Sequence, residues 1–451
     1  MQQQGFVAAC DRATSALQAL SAERLRGRVT DASGIALTFE GLGPFLSVGD
    51  RLSVQPRSGA AVLVEVIGFR RGVVQAQAFG PLDGIGPGAP VTAPLPPRPA
   101  ALAVSESWIG RILDPFGHPL DGGGPVRRGR PPRPLRAASP AATARGRLGP
   151  RFAFGVRALD LFVPCREGQR LGLFAGAGVG KSSLLAMLAR HARADVIVLA
   201  LVGERGREVR EFVEDELGAA GLARAVVVLA TSDAPPLLRL EAGYAAVTVA
   251  EHFCARGQSV LLLMDSLTRF CQARREIALA AGEPPGARGY PPSVFAELPR
   301  LLERAGPGLA AQGGQITALF TVLVEGDDMN EPIADAARSI LDGHVVLDRR
   351  IAERGRYPAI DVLRSLSRTP PPCDAGTAAS LRRARALLSQ SAELADLVRL
   401  GAYRPGSDPA ADEALRLAPA IEAVLQQARD EVSEPDEAAA RLFAALDAGL
   451  P

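Results

Sequence analysis

A glycine-rich turn set between an apolar strand and a helix narrows the fold more than any other feature of this chain. The segment AGAGVGKS, Ala175 to Ser182, follows the apolar run RLGLF and opens the helical segment SSLLAMLARHA. It fits the phosphate-loop pattern in its strand, loop and helix context, with Ala175 standing where the strict form has glycine. Gly176, Gly178 and Gly180 do the work. Lacking Cβ atoms, they let successive main-chain N–H groups turn inward as an anion nest at a helix N-terminus. The nucleotide-binding set is therefore Gly176, Ala177, Gly178, Val179, Gly180, Lys181, Ser182 and Ser183. Lys181 is placed to reach the β- and γ-phosphates of ATP, and the Ser182 hydroxyl to coordinate Mg²⁺. A bare glycine turn would also join strand to helix, but it would not explain why Lys181 is the only lysine in the sequence. The other basic side chains are arginine, so a compact ammonium has been kept where a planar guanidinium would not serve.

The same kind of reading extends along the chain. Between 136 and 370, unalternating apolar runs (DVIVLALV, AVVVLA, SVLLLMD, ITALFTVLV, HVVLD) are separated by helical segments. Strands buried on both faces and joined by helices imply an α/β P-loop (RecA-like) core with a mostly parallel sheet. Residues 24–93 instead carry short alternating segments broken by Gly, Pro and Asp, the pattern of a small N-terminal β-barrel. Residues 94–135, rich in Pro and Arg, read as a partly ordered linker, and 371–451 as a C-terminal helical bundle with Asp408 and Ser433 as N-caps. Residues 1–23 place Phe6, Val7, Cys10, Ala13, Leu17 and Leu20 at helical spacing, an amphipathic helix for packing or partner docking.

Composition excludes several classes. No apolar run reaches the roughly 18 residues of a spanning helix, and the first residues lack the basic start of a secretory signal. A cytoplasmic enzyme is the expectation. Cys10, Cys165, Cys254, Cys271 and Cys373 form no C-x-x-C pair, against both a disulfide framework and a zinc site. A formal net charge of +2 gives no sign of a nucleic-acid partner.

Two further motifs carry chemistry. SVLLLMDSLTR, Ser259 to Arg269, ends a buried strand in Asp265, an acid suited to hold Mg²⁺ or its water shell beside a phosphate loop. In VGERGREVREF, Glu204 stands just beyond DVIVLALV, where a carboxylate can accept a hydrogen bond from the attacking water. Each has an ordinary reading on its own, a helix cap for Asp265 and a solvated loop charge for Glu204. Together with the loop they point to phosphoryl transfer to water.

These motifs, with GEPPGARGYPPSVFAELPRLLERAG, VLVEGDDMNEPIADAARSILDGHVVLDRRIA, RYPAIDVLRSLSR and the C-terminal LLSQSAELADLVRLGAYRPGSDPAADEAL, closely resemble the flagellar export ATPases. The resemblance runs over most of 136–430. That family is related in fold to the catalytic β subunit of rotary ATP synthases. By this resemblance Glu204 matches the catalytic carboxylate, Arg205 and Arg269 are γ-phosphate contacts, and Glu208 lies near the Mg²⁺ water shell. Tyr357 corresponds to the aromatic that stacks on adenine, and Arg368 to an arginine finger offered to the neighbouring subunit. The resemblance implies a homohexamer at the inner face of the cytoplasmic membrane. Its implied partners are a regulator, a stalk protein, an export gate and chaperone-bound substrates. The wording of EGDDMNEP and RYPAID leans flagellar, with the ATPase of an injectisome as the alternative. A noncatalytic rotary subunit is disfavoured by the acid at Glu204. A ring-shaped nucleic-acid translocase is disfavoured by a barrel region with few aromatics (Phe39, Phe45, Phe69, Phe79) and little excess of base.

Overall fold

Alternation with period two builds the first part of the chain. The computed structural model describes residues 24–95, 100–324, 326, 328–370 and 373–447. The helix expected over 1–23, with Cys10, lies outside them. Strands β1 (Arg24–Ser33), β2 (Ala36–Glu40), β3 (Arg51–Val54), β4 (Val62–Arg70), β5 (Val73–Ala78) and β6 (Pro90–Pro94) close into a barrel in the order β1-β2-β5-β4-β3-β6. Arg24, Arg26 and Arg28 of β1 face solvent, while Leu37, Phe39, Leu52, Val54, Val64, Val74 and Val91 fill the interior. Closure leaves no unpaired edge. Gly27 is required where β1 meets β2, since a Cβ there would stand 2.5 Å from the Glu40 carbonyl oxygen.

The chain divides into two compact units, the first holding the barrel together with Ala234–Leu238 and Glu276–Pro284. The second is organised by a sheet of β7 (Arg111–Leu113), β8 (Arg170–Ala175), β9 (Val196–Glu204), β10 (Ala225–Thr231), β11 (Ser259–Asp265), β12 (Gln315–Leu323), β13 (Gly343–Leu347) and β14 (Ile360–Ser367). Their order is β14-β13-β8-β12-β11-β9-β10-β7, and the short strand Gly306–Pro307 also pairs with β12. All eight run parallel except β14, which returns antiparallel to β13. The α/β P-loop core with an N-terminal barrel and C-terminal helices is thus the observed fold. Every residue from Val196 to Gly203 is buried, which is why these runs show no alternation. Parallel order puts the carboxyl ends of β8, β12, β11 and β9 side by side on one edge, the place where open α/β sheets bind ligands.

Helix α1 (Arg157–Phe162) precedes β8, and α2 (Lys181–His191) follows the phosphate loop. The C-terminal helices α3 (Ala375–Arg399), α4 (Pro409–Leu425) and α5 (Pro435–Asp447) have no core of their own. Leu387, Leu417, Ile421 and Leu442 belong to the same buried cluster as Leu161 of α1 and Leu188 of α2. Asp408 caps α4 by accepting a hydrogen bond from Ala410 N at 2.9 Å. Ser433 does not cap α5. It is buried, its hydroxyl has no partner, and the helix opens only at Pro435.

The segment 94–135, expected as a partly ordered linker, contains packed residues and short strands among its described residues. Leu102, Val104, Trp108, Leu113 and Leu135 are buried, and β7 pairs with β10 as an edge strand of the sheet. Arg111, at the start of β7, is neutralised by Asp121 at 2.7 Å. Among the described residues no helix is long and apolar enough to cross a membrane.

Because Ile421 is fully buried in the shared cluster, Ile421→Ala is expected to destabilise the whole second unit by about 2 to 5 kcal/mol. Trp108, the only tryptophan, is buried in that unit and reports its unfolding by fluorescence. A denaturation midpoint unchanged by the substitution would mean that the C-terminal helices unfold independently of the sheet.

Candidate nucleotide site

The phosphate loop connects Ala175, the last residue of β8, to Lys181, the first of α2. Gly178 and Gly180 adopt φ of 76° and 91°, a left-handed region that favours glycine. Val179 turns its side chain into the core, so only its main chain serves the loop. Gly176 is buried, whereas Ala177, Gly178 and Ser182 are exposed. Ser183 points elsewhere: its hydroxyl donates to Glu216 at 3.3 Å, leaving its main-chain N–H as its contribution to a bound anion. The Tyr357 ring, 46% exposed, lies against the loop, with ring carbons 3.4 Å from where a Cβ of Gly180 would sit.

Two strand ends converge on one ammonium. Lys181 Nζ lies 2.5 Å from Asp265 Oδ1, at the end of β11, and 3.5 Å from Glu204 Oε1, at the end of β9. Burial works against the lysine's charge, but Asp265 and then Glu204 outweigh it and hold the ammonium above its ordinary pKa. Glu204 is pushed up by burial and by the nearby Asp265 carboxylate, with Lys181 and Arg269 opposing. A carboxylate with a raised pKa, at the mouth of a phosphate-binding loop, is suited to take a proton from water.

The remaining predicted residues are arranged around this centre. Arg269 hydrogen-bonds Gln272 at 2.9 Å and its field reaches Glu204. Arg205 and Glu208 are ion-paired with each other at 2.9 Å, with side chains 79% and 45% exposed, apart from Lys181. Arg368, also exposed, donates to the carbonyl of Arg338 at 2.9 Å and makes no contact with the Lys181 group. Among the described residues no three His, Cys, Asp or Glu side chains gather to hold a metal by themselves. A magnesium ion would keep several waters and take substrate phosphates with one or two protein oxygens. The exposed Ser182 and the Asp265 carboxylate are the residues that would hold it.

Sequence reasoning missed several participants. Gly203 has φ 73°, and a Cβ there would stand 3.0 Å from Cβ of Arg269, so a glycine is needed for the turn that delivers Glu204. Its signal was the G of GERGRE. Arg349 donates to the Ala177 carbonyl at 3.0 Å and bounds, with Gly176, Arg269, Gln272 and Arg275, a cavity of about 640 Å³ beside the loop. Nothing in the sequence marked Arg349 among so many arginines.

Comparison with known proteins agrees with this geometry. Residues 155–367 match the ATP synthase alpha/beta family nucleotide-binding domain, and 373–444 the T3SS EscN ATPase C-terminal domain. A flagellum-specific ATP synthase of Caulobacter vibrioides is 50% identical over 94% of this chain and 96% of its own length. The chain belongs to the type III export ATPases of the ATP synthase alpha/beta family. Among other export ATPases, a type 3 secretion system ATPase of Xanthomonas euvesicatoria is 47% identical over 92% of this chain and 93% of its own. The solved structure of the assembled ATPase EscN from enteropathogenic E. coli superposes with a TM-score of 0.84 at 37% identity, covering 93% of this chain and all of that one. As a member of this family the chain hydrolyses ATP.

Two substitutions separate binding from turnover in this export ATPase. Lys181→Ala is expected to weaken nucleotide binding and abolish hydrolysis, because it leaves the Asp265 and Glu204 carboxylates facing incoming phosphates without the ammonium between them. Glu204→Gln is expected to keep nucleotide binding and reduce kcat by a factor of roughly 10² to 10⁴, the usual contribution of a general base. Equilibrium binding of a fluorescent ATP analogue and steady-state phosphate release measure the two effects; normal turnover by Glu204→Gln would remove Glu204 from the mechanism.

Proposed function

We propose that this chain is the motor subunit of flagellar type III export, cleaving Mg²⁺-bound ATP at sites completed between neighbouring copies in a homohexameric ring. The observation that carries the reading is the single ammonium, Lys181, held between Asp265 and Glu204 at adjacent strand ends with Tyr357 against the phosphate loop. Lys181 and the loop N–H groups bind the β- and γ-phosphates. Tyr357 stacks on the adenine. Ser182 and Asp265 would hold Mg²⁺, with Glu208 near its water shell, and the ion would neutralise phosphate charge. Glu204 orients a water in line with the γ-phosphorus and accepts its proton as the bond to the leaving ADP oxygen breaks. Arg269, whose charge acts on Glu204, contacts the transferred γ-phosphate. Arg205 exchanges its partner Glu208 for the γ-phosphate on nucleotide arrival.

Arg368 supports a shared site. An exposed guanidinium, held by the Arg338 carbonyl, would serve the nucleotide of a neighbour and stabilise transition-state charge there. EscN has been solved both assembled and in complex with its central stalk EscO, which supports a ring with a stalk partner here. A regulator, an export gate at the inner face of the cytoplasmic membrane and chaperone-bound cargo complete the proposal. The flagellar assignment leans on relatives named flagellum-specific ATP synthase at 50% and 52% identity, against 47% and 46% for type 3 secretion ATPases.

Specific activity should climb steeply with protein concentration in the wild type, and Arg368→Ala should bind nucleotide normally but lose that climb. Equal, concentration-independent rates in both proteins would put a complete site within one chain. In the native host, deleting the gene should abolish swimming and filament export. Normal swimming with loss of effector secretion would move the protein to an injectisome.

A further inference from the structure

Asp265 is held by a second donor that the phosphate-loop pattern does not include. Its Oδ1 accepts from Lys181 Nζ at 2.5 Å and from the Thr321 hydroxyl at 2.7 Å. Thr321 is fully buried in β12, between β11, which ends in Asp265, and β8, where its register partner is Leu173. Its β-branched side chain is stiff at χ1, and its one hydroxyl proton is committed to the carboxylate. With both of these donors on Oδ1, Asp265 Oδ2 has no hydrogen-bond partner among the described residues.

We propose that Thr321 is a positioning residue for the metal-side carboxylate, holding Asp265 in the rotamer that presents Oδ2 to Mg²⁺ or its water shell. The inference rests on the reading of Asp265 given under Proposed function and adds a requirement that reading does not make. When phosphates arrive, Lys181 has new acceptors and its contact with Oδ1 weakens. Thr321 cannot follow them, because its main chain is fixed within the sheet. It is then the donor that remains, and without it the carboxylate is free to rotate just when the ion needs a fixed ligand. A threonine that merely fills the core would have no such effect on metal affinity.

Thr321→Val removes the hydroxyl at nearly constant volume, and Thr321→Ser restores it. The measurement is the dissociation constant of a fluorescent, non-hydrolysable ATP analogue with excess Mg²⁺ and with EDTA, for wild type, both variants and Asp265→Asn. The expected result is that Thr321→Val reduces the Mg²⁺-dependent gain in affinity roughly ten- to a hundredfold, the scale of a lost hydrogen bond to a charged group. Its affinity in EDTA should stay within about twofold of wild type, and Thr321→Ser should recover most of the gain. If Thr321→Val does not fold, as judged by its thermal transition, Thr321→Ala with Thr321→Ser carries the same comparison. A full Mg²⁺ gain in Thr321→Val, or an equal loss with and without Mg²⁺, overturns the role of Thr321. If Asp265→Asn also keeps the full gain, the fault lies in the assignment of Asp265 itself; if Asp265→Asn loses it while Thr321→Val does not, only the Thr321 proposal falls.

Discussion

An ammonium shared by two carboxylates is the constraint on which the site depends. Two acids at the ends of β9 and β11 repel each other, and burial raises the cost of charging Glu204. At an effective dielectric near 20, attraction across about 4 Å is on the order of 4 kcal/mol per ion pair, enough for one lysine to offset that repulsion. Lys181 can do so only from the first turn of α2, and α2 can start there only because Gly178 and Gly180 take left-handed conformations. The parallel sheet is what brings these strand ends to one edge. An antiparallel arrangement would send alternate ends to the opposite side.

The same centre explains why the C-terminal helices are more than an appendage. Gln427, just beyond α4, donates its main-chain N–H to the Tyr357 carbonyl at 2.9 Å. Its side chain donates to the Gly155 carbonyl and accepts from Arg157 N, both at 2.8 Å, at the start of α1. Arg157 in turn donates to the Val424 carbonyl at 2.7 Å, and Arg356 pairs with Glu422 at 2.6 Å. The loop carrying Tyr357 is therefore held by the C-terminal segment on one side and rests on Gly180 on the other. This is a contiguous hydrogen-bonded connection between the C-terminal segment and the loop carrying Tyr357.

The signals carried by contiguous residues were legible in the sequence. The loop, its flanking strand and helix, and the acids Asp265 and Glu204 all sit at the boundaries of local runs, so their places on strand ends could be read directly. Contacts across long sequence separations were hidden. Thr321 looked like any polar residue in ITALFTVLV, and Arg349 like one arginine among many. The Pro- and Arg-rich stretch at 94–135 concealed an edge strand because Arg111 finds Asp121 only after folding. Ser433 matched the composition of a cap, yet α5 starts beyond it and its hydroxyl is enclosed.

By itself the sequence determined the classes of its parts: a barrel from period-two alternation, a buried parallel sheet from unbroken apolar runs, and a phosphate loop from three glycines before a lone lysine. These are local properties, set by Cβ sterics and by which face of each element must leave water. Tertiary structure alone decided which charges share a pocket. Lys181, Glu204 and Asp265 meet because β8, β12, β11 and β9 are neighbours in the sheet, and strand order is a matter of packing between distant segments. It also decided that Arg205 rests on Glu208 and that Arg368 donates to the Arg338 carbonyl. Side-chain partners depend on distances of a few ångströms, and only the folded chain sets them.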